Sequence, residues 1–229
     1  MIVYGRNAVR EAIRGPRTVK HIWATKNAMR EPWLATAGVA VTSTPSEEVA
    51  RRCGSEAHQG VCAAVSEFRY AEPAELLRLA DPVIVVLDQV QDPQNLGAIC
   101  RSAECAGAAG VVIPERRSVD VTAAVCKASA GAVEHLPVAR IRNVADFLRE
   151  AKDAGLWCYG ADADGPVRYD TIDYSGGVVL VLGSEGSGLR PRVAGSCDAL
   201  LSIPLRGKVE SLSVASAAAV LLYAVARAR

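Results

Sequence analysis

The chain has 229 residues, half of them apolar, and carries 26 lysines and arginines against 25 aspartates and glutamates. This length favours one or two modest domains with buried cores, and the net charge of +1 indicates no particular partner until it is divided along the chain. Seven cysteines without a C-x-x-C pair, among three scattered histidines, match neither a disulfide framework nor a zinc site. We therefore expect no metal and a reducing, cytoplasmic location.

No segment predicts a membrane protein. The N-terminus, MIVYGRNAVREAIRG, lacks the continuous apolar core of a signal peptide. The most apolar helical stretch, VASAAAVLLYAVA, is too short to span a bilayer. We expect a soluble protein without membrane contact.

The first part of the chain predicts a small α/β unit. A probable helix, NAVREAIRG, is followed by strand-like pieces (VKHIWAT, VAVTST and GVCAAVSEF) and a short helix around PSEEVARRC. The stretch RYAEPAELLRLADP then reads as a linker or connecting helix. We expect a first domain at residues 1–69, a linker at residues 70–82 and a second domain at residues 83–229.

Basic residues concentrate in the first domain. Residues 1–70 hold ten lysines and arginines and six acids, a difference of +4, which leaves −3 for the remainder. Arg6, Arg10 and Arg14 recur at four-residue spacing and would share one face of a helix. Such a face could lie along the phosphates of a nucleic acid, or it could be an ordinary solvated face.

From Val83 onward, short runs rich in Val, Ile and Leu alternate with helical stretches. These runs are continuously apolar, as expected of strands that helices cover on both faces. The pattern predicts an α/β class with a mostly parallel sheet. Ligands in such sheets bind outside the carboxyl ends of the strands, so the residues that follow each run are the candidate site.

The first of three unusual strand ends is DQVQDPQNLGAICR. Asp92-Pro93 breaks the strand, and Asn95 is expected to cap the next helix. Arg101 follows six residues later and is expected near the same edge of the sheet. Asn95 could be no more than a cap, and Arg101 no more than a surface residue.

The second strand end, VVLVLGSEGSGL, places Glu185 among three glycines, Gly183, Gly186 and Gly188. Glycines allow a ligand to approach the main chain closely. The spacing G-x-x-G-x-G differs from the dinucleotide fingerprint G-x-G-x-x-G, and a carboxylate would repel a pyrophosphate. A nucleotide-phosphate site is therefore not expected here.

The third strand end is SIPLRGKVESLSVASAAAV. Gly207-Lys208 resembles part of a phosphate-binding loop, but Ser202 and Val209 occupy positions that such a loop needs for Gly and for Ser or Thr. The small residues of the following helix, Ala215 and residues 217–219, permit close packing against another element. A homodimer contact is one interpretation.

Three motifs together resemble those of the SpoU-type ribose 2′-O-methyltransferases of the SPOUT superfamily. They are N-L-G-x-x-x-R from Asn95, L-G-S-E-G-x-G-L from Leu182 and I-P-x-x-G-x-V-x-S-L-x-V from Ile203. The segments VYGRNAV and AHQG resemble that group's substrate-binding domain, which is related in fold to ribosomal protein L30e. The resemblance covers the whole chain. In layout, the chain is most similar to bacterial enzymes that methylate a guanosine ribose in 23S ribosomal RNA.

The resemblance implies a C-terminal SPOUT domain with a deep trefoil knot, preceded by an L30e-like domain that binds RNA. It implies S-adenosylmethionine as the cofactor, held largely through the backbone of Gly183, Ile203 and Leu212. It also implies a homodimer in which each active site is assembled from two chains. The implied catalytic set is Asn95, Arg101, Glu185, Ser211 and Ser213.

Within this set, Arg101 matches the family's catalytic arginine, usually described as the base. Arginine side chains ordinarily have a pKa of about 12.5–13.8, so we expect Arg101 mainly to stabilise the developing alkoxide or a neighbouring phosphate. Glu185 is expected to fix Asn95, while Asn95 and Ser211 orient Arg101 and the substrate. Ser213 departs from the family, which usually has Asn there; serine is shorter and lacks the second amide donor.

Three alternatives stay open. The chain could be a non-catalytic RNA-binding or ribosome-assembly protein of the same fold, which the Ser213 departure slightly favours. It could instead methylate a ribose of transfer RNA or of an antibiotic-resistance nucleotide. A nucleotide-hydrolysing α/β enzyme is the least favoured alternative, because both phosphate-loop patterns fail.

Overall fold

The computed structural model describes residues 1–229 and contains two sheets. The smaller sheet has four strands in the order β1-β4-β2-β3, with β4 antiparallel to both neighbours and β3 parallel to β2. Its strands are β1 (Ile2–Tyr4), β2 (Val19–Ala24), β3 (Val41–Ser43) and β4 (Val61–Val65). The helices of this part are α1 (Arg6–Arg14), α2 (Pro32–Ala35) and α3 (Ser46–Cys53). Short 3₁₀ turns occupy Ala28–Arg30 and Glu56–His58.

The larger sheet has seven strands in the order β7-β6-β5-β10-β8-β11-β9, and every pairing is parallel. The strands are β5 (Val83–Leu87), β6 (Gly110–Pro114), β7 (Val138–Ile141), β8 (Trp157–Ala161), β9 (Val167–Arg168), β10 (Val178–Leu182) and β11 (Ala199–Ser202). All residues of β5, β6 and β10 are buried, which explains their continuously apolar sequence. The predicted α/β class with a mostly parallel sheet is confirmed.

Helices cover both faces of the larger sheet. They are α4 (Pro73–Leu77), α5 (Pro93–Cys105), α6 (Ala123–Ala128), α7 (Val144–Asp153), α8 (Pro191–Ala194) and α9 (Val214–Ala228). Residues of α4, α7 and α8 share one core of 16 buried residues with one face. Residues of α5, α6 and α9 share a second core, of 39 buried residues, with the other face.

The larger core also contains residues of the small sheet and α1, including Val3, Val9 and Ile22. The two sheets are therefore joined by continuous apolar packing as well as by residues 70–82, which contain α4 and a strand-like bridge between Ala71 and Ala139. The limits at residues 69 and 83 stay a prediction, as does the knot.

Close approach of α5 and α6 depends on one glycine. A Cβ on Gly97 would lie 2.4 Å from the Cβ of Ala128 and 2.8 Å from the backbone N of Ser129. Because such distances are too short for real Cβ contacts, only glycine fits here. The small residues of α9 are likewise used within the chain, since α9 packs on α5 and Ala218 is fully buried.

No helix has the length and apolar character needed to cross a membrane. No three His, Cys, Asp or Glu side chains are grouped in a way that could hold a metal ion. All seven cysteines are free, and burial raises the pKa of the Cys100 thiol to about 12.

Candidate active site

The carboxyl ends of β5 and β10 lie side by side, because Leu87 is paired with Leu182 at the end of the ladder. Asp88 directly follows β5, and its carboxylate is fully buried. It accepts hydrogen bonds from the backbone N of Arg190, at 3.1 Å, and from the Arg190 guanidinium, at 2.9 Å from Nε. This buried carboxylate ties the loop after β10 to the end of β5.

The loop after β10 turns back on itself very tightly. The backbone of Ser184 and Gly188 forms a two-bond bridge, at 3.0 and 3.1 Å, and a Cβ on Gly183 would lie 2.1 Å from the carbonyl carbon of Gly188. Gly186 and Gly188 have φ values of 84° and 64°, which glycine adopts at no steric cost. The glycine spacing therefore serves a closed loop that presents Glu185.

The side chain of Asn95 contacts Glu185 of this loop. The Asn95 amide Nδ2 donates to the Glu185 carboxylate at 3.0 Å. Asn95 is not the cap of α5, contrary to the prediction, because Asp92 takes that position and accepts from the Gln94 backbone N at 2.9 Å. With the cap supplied by Asp92, the Asn95 side chain is free to reach Glu185.

A cleft of about 530 Å³ lies beside the loop. Gly183, Ile203 and Leu212, the predicted cofactor contacts, all line it. Of the predicted catalytic residues, Glu185, Ser211 and Ser213 line it as well. The structure thus brings six of the predicted residues together, although their roles stay predictions.

The cleft is acidic. Asp162, Glu185 and Glu210 contribute carboxylates to the lining, which contains no Lys, Arg or His. Half of the lining residues are hydrophobic. This combination suits a ligand with an apolar body and a positive charge. Asp162 and Glu210 were not predicted. Asp162 directly follows β8, so it could have been found from the tendency of ligands to bind outside the carboxyl ends of parallel strands.

Ser213 has a structural role at the start of α9. Its hydroxyl oxygen accepts a hydrogen bond from the Ser216 backbone N at 3.1 Å and donates to the Ser216 hydroxyl at 2.9 Å. Serine and asparagine are about equally good at this capping position. The departure from the family's usual Asn therefore leaves the helix start satisfied.

Arg101 lies outside the cleft of its own chain. It sits on α5, six residues beyond Asn95, or about 9 Å along the helix axis. Its side chain is exposed and forms no hydrogen bond or ion pair within the chain. Six residues also correspond to more than one and a half turns, so Arg101 and Asn95 point to different sides of α5.

The arginines of α1 are partly neutralised. Arg6 pairs with Glu31 at 2.8 Å, while Arg10 and Arg14 both pair with Glu11, at 3.0 and 3.1 Å. A second, wholly polar cleft of about 890 Å³ lies at the end of the small sheet and includes Arg6. This second cleft contains none of the implied catalytic residues, so we place the candidate chemistry at the acidic cleft.

Comparison with known proteins identifies the group to which this architecture belongs. The model of the SpoU rRNA methylase family matches residues 82–223, and that of an RNA 2′-O ribose methyltransferase substrate-binding domain matches residues 2–71. The chain belongs to the SpoU rRNA methylase family. The predicted family is confirmed, and the two matched segments contain the larger and the smaller sheet respectively.

Relatives of the SpoU family match over nearly the full chain. YacO of Bacillus subtilis, which carries the name of a TrmH family tRNA/rRNA methyltransferase, is 38% identical over 99% of this chain and 95% of its own. A Mycolicibacterium vanbaalenii protein named as a tRNA/rRNA methyltransferase is 40% identical over 100% of this chain and 76% of its own. The structure of an AdoMet-bound rRNA methyltransferase from Sinorhizobium meliloti is 30% identical, with a TM-score of 0.82 over 99% of this chain and 86% of that one.

Proposed function

We propose that this chain is an S-adenosylmethionine-dependent RNA methyltransferase that acts on a ribose 2′-hydroxyl. The observation that carries the proposal is the Asn95–Glu185 contact beside an acidic, glycine-edged cleft. A guanosine of 23S ribosomal RNA is the first substrate to test. Transfer RNA is an equal candidate, because the similar proteins from B. subtilis and M. vanbaalenii are named for both RNAs.

The acidic cleft fits S-adenosylmethionine. Its volume falls within the range of about 300–1,000 Å³ that is usual for small-molecule sites. Ile203 and Leu212 offer apolar surface, and the carboxylates of Asp162 and Glu210 would favour the ligand's positive charge. When bound, this cofactor supplies a methyl group on a sulfonium, which is electrophilic. The similar S. meliloti structure is described as AdoMet-bound.

The protein's own groups would position the ribose and stabilise charge. Glu185 holds the Asn95 amide, which leaves the amide oxygen free to accept a hydrogen bond from substrate or from Ser211. Arg101 carries a guanidinium with no carboxylate partner, suited to the developing negative charge on the ribose oxygen or to a phosphate beside it. Orientation and charge stabilisation are the contributions that these residues can make.

A second copy of the chain would complete the site. Neither Arg101 nor Asn95 lines the cleft of its own chain, but Asn95 donates to Glu185, which does line it, whereas the Arg101 side chain has no partner within the chain. We therefore propose a homodimer in which Arg101 of one protomer serves the cleft of the other. In this arrangement the exposed side of α9 and the exposed Leu205, Val209 and Leu212 would lie near the contact.

The first experiment is transfer of tritiated methyl from S-adenosylmethionine. The acceptors are large-subunit ribosomal RNA and bulk transfer RNA from a strain lacking this protein, followed by mapping of 2′-O-methyl positions. Transfer to one position, lost in Arg101→Ala, would support the proposal and choose between the RNAs. No transfer to either RNA and no cofactor binding would favour the non-catalytic RNA-binding alternative.

The composite site has its own test. Arg101→Ala and Gly183→Ala chains are mixed after each has been shown to be inactive and folded. If the site is shared, activity returns to about a quarter of wild type, because about half of the dimers are mixed and each contains one intact site. No recovery would place Arg101 and the cleft in the same protomer.

A further inference from the structure

The loop after β6, residues 115–121, reaches the same edge of the sheet as the Asn95–Glu185 contact. We name this segment the arginine loop, because Arg116 and Arg117 are consecutive and exposed at its start. Strand β6 neighbours β5, which leads into Asn95. The strand order therefore places the arginine loop beside the candidate active site.

The arginine loop is attached to its surroundings at two points. The Ser118 hydroxyl and the Val119 backbone N both donate to the carbonyl of Val90, each at 3.2 Å. Val90 belongs to the β5–α5 connection. These two hydrogen bonds therefore join the arginine loop directly to the segment that leads into α5 and Asn95. Farther on, the Val121 backbone N donates to the Tyr70 hydroxyl at 2.9 Å.

The backbone is unusual at Arg117, directly before the first of these attachments. Its φ is 57°, in the left-handed region that residues other than glycine rarely adopt. Such a conformation persists only where the surrounding structure holds it. The anchored loop thus holds the backbone of a residue with a long, charged side chain in a costly conformation at the sheet edge.

The charges of this edge are largely uncompensated. Neither Arg116 nor Arg117 forms an ion pair, and neither does Arg142, which directly follows β7. Glu115 lies beside Arg142, since its backbone N donates to the Ile141 carbonyl at 2.8 Å, but its carboxylate pairs with none of these arginines.

The other carboxylate of the arginine loop is already engaged. Asp120 accepts from the Tyr70 hydroxyl at 3.2 Å and faces Arg140 Nε at 3.7 Å. This contrasts with α1, where the predicted RNA-binding arginines have carboxylate partners. Guanidinium groups without a carboxylate partner are better able to neutralise phosphates than paired ones.

We propose that Arg116, Arg117 and Arg142 form an RNA phosphate-binding site that docks the strand on either side of the methylated nucleotide. This inference rests on the proposed function, because the ligand is the RNA whose ribose enters the active site. Phosphate contacts fix register and orientation without reading sequence. The site therefore serves positioning, and other contacts choose the nucleotide.

The test compares Arg116→Ala/Arg117→Ala with wild type in equilibrium binding of an unmodified large-subunit ribosomal RNA transcript and of bulk transfer RNA. Each measurement is repeated over a salt series. Loss of two phosphate contacts should weaken binding about tenfold or more and reduce the logarithmic salt slope by about 1.4. Arg116→Lys/Arg117→Lys should keep most of the slope, because lysine retains the charge.

Arg78→Ala is the matched control. Arg78 is also exposed and without an ion pair, but it lies just before β5, toward the opposite edge of the sheet. The RNA affinity and the salt slope of the Arg78→Ala protein should equal those of wild type. Calorimetric titration with S-adenosylmethionine should give the same affinity for all four proteins, which excludes a general folding defect.

The outcomes distinguish failure of the phosphate site from failure of the proposed function. An unchanged slope in Arg116→Ala/Arg117→Ala, with wild type binding RNA, overturns the phosphate site and leaves the proposed function intact. RNA binding with the expected loss of slope, but without methyl transfer by wild type, supports the site and contradicts the methyltransferase activity. Absence of RNA binding by wild type overturns both.

Discussion

Arg17 and Glu134 form a buried ion pair across the contact between the two sheets. The Arg17 Nε donates to Glu134 Oε2 at 2.8 Å, and the second guanidinium nitrogen contacts the other carboxylate oxygen. Their side chains are 5% and 0% exposed, and the Arg17 guanidinium lies 5.6 Å from the Phe68 ring centre. Burial lowers the pKa of Arg17, but the hydrogen bonds to Glu134 outweigh it and raise the pKa above its ordinary value.

Removing one partner of this pair should destabilise the protein strongly. Arg17→Ala leaves the Glu134 carboxylate buried without a partner, which we expect to cost about 3–5 kcal/mol in the free energy of unfolding by urea. Arg17→Met/Glu134→Leu should recover most of this loss. Arg51→Ala, which removes an exposed pair with Glu48, is the control and should change little. Equal stability of Arg17→Ala and wild type would show that the pair does not join the sheets.

Glu11 of α1 contacts His135, which directly follows the 3₁₀ turn at Ala132–Glu134, and this contact should be sensitive to acid. Burial raises its pKa, but hydrogen bonds with His135 and Arg10 outweigh burial and hold the pKa below the ordinary value of 4.5. The lowered pKa stabilises the fold above about pH 4.5, and this stabilisation is lost as pH falls through the folded-state pKa. The unfolding free energy of wild type should therefore approach that of Glu11→Gln between about pH 6 and about pH 3. A constant difference across this range would argue against the contact.

Gly183→Ala should disrupt the loop that carries Glu185. The new methyl group would meet the Gly188 carbonyl carbon at 2.1 Å, so backbone rather than a side chain must move. We expect more than tenfold weaker S-adenosylmethionine binding by calorimetry and about 1–3 kcal/mol lower stability. Gly195→Ala is the comparison variant, since its nearest neighbour would be a carbonyl oxygen at 3.3 Å and Gly195 is already helical. Normal cofactor binding by Gly183→Ala would contradict the close-packed loop.

Ser213 should matter more for the start of α9 than for methyl transfer. Ser213→Ala removes the acceptor for the Ser216 backbone N and should lower stability by about 1 kcal/mol. Ser213→Asn should keep the cap and at least the wild-type transfer rate. Thermal unfolding and single-turnover transfer measure the two effects separately. A large loss of transfer in a stable Ser213→Asn protein would mean that the hydroxyl itself acts on the substrate.

The large sheet could be predicted because strands that are buried on both faces are apolar along their whole length. Runs such as VIVVL and VVLVL are apolar throughout since both of their faces are covered. The shortest elements were missed. Strands β1 and β9 and helices α2 and α8 have two to four residues each, too few to show a period.

The site was predicted in part, for a related reason. Motif residues that follow strands could be recognised, and Glu185 and Asn95 do meet. The cap of α5 was assigned wrongly, because Asp92 and Asn95 are both good capping residues and only the position of the helix start distinguishes them. The contact between Asp88 and Arg190 joins residues 102 positions apart, and no local pattern indicates it.

The Asp88–Arg190 contact bears on the thermodynamics of ligand binding. Together with the Ser184–Gly188 bridge and the Ser184–Ser187 hydroxyl bond at 2.6 Å, it fastens both ends of the loop around Glu185 within a single chain. Ordering a residue costs about 1–2 kcal/mol of conformational entropy. Here the conformational entropy of the loop is lost when the chain folds and not when a ligand binds. A ligand that enters the cleft therefore meets an ordered loop, and a larger part of its contact energy contributes to affinity.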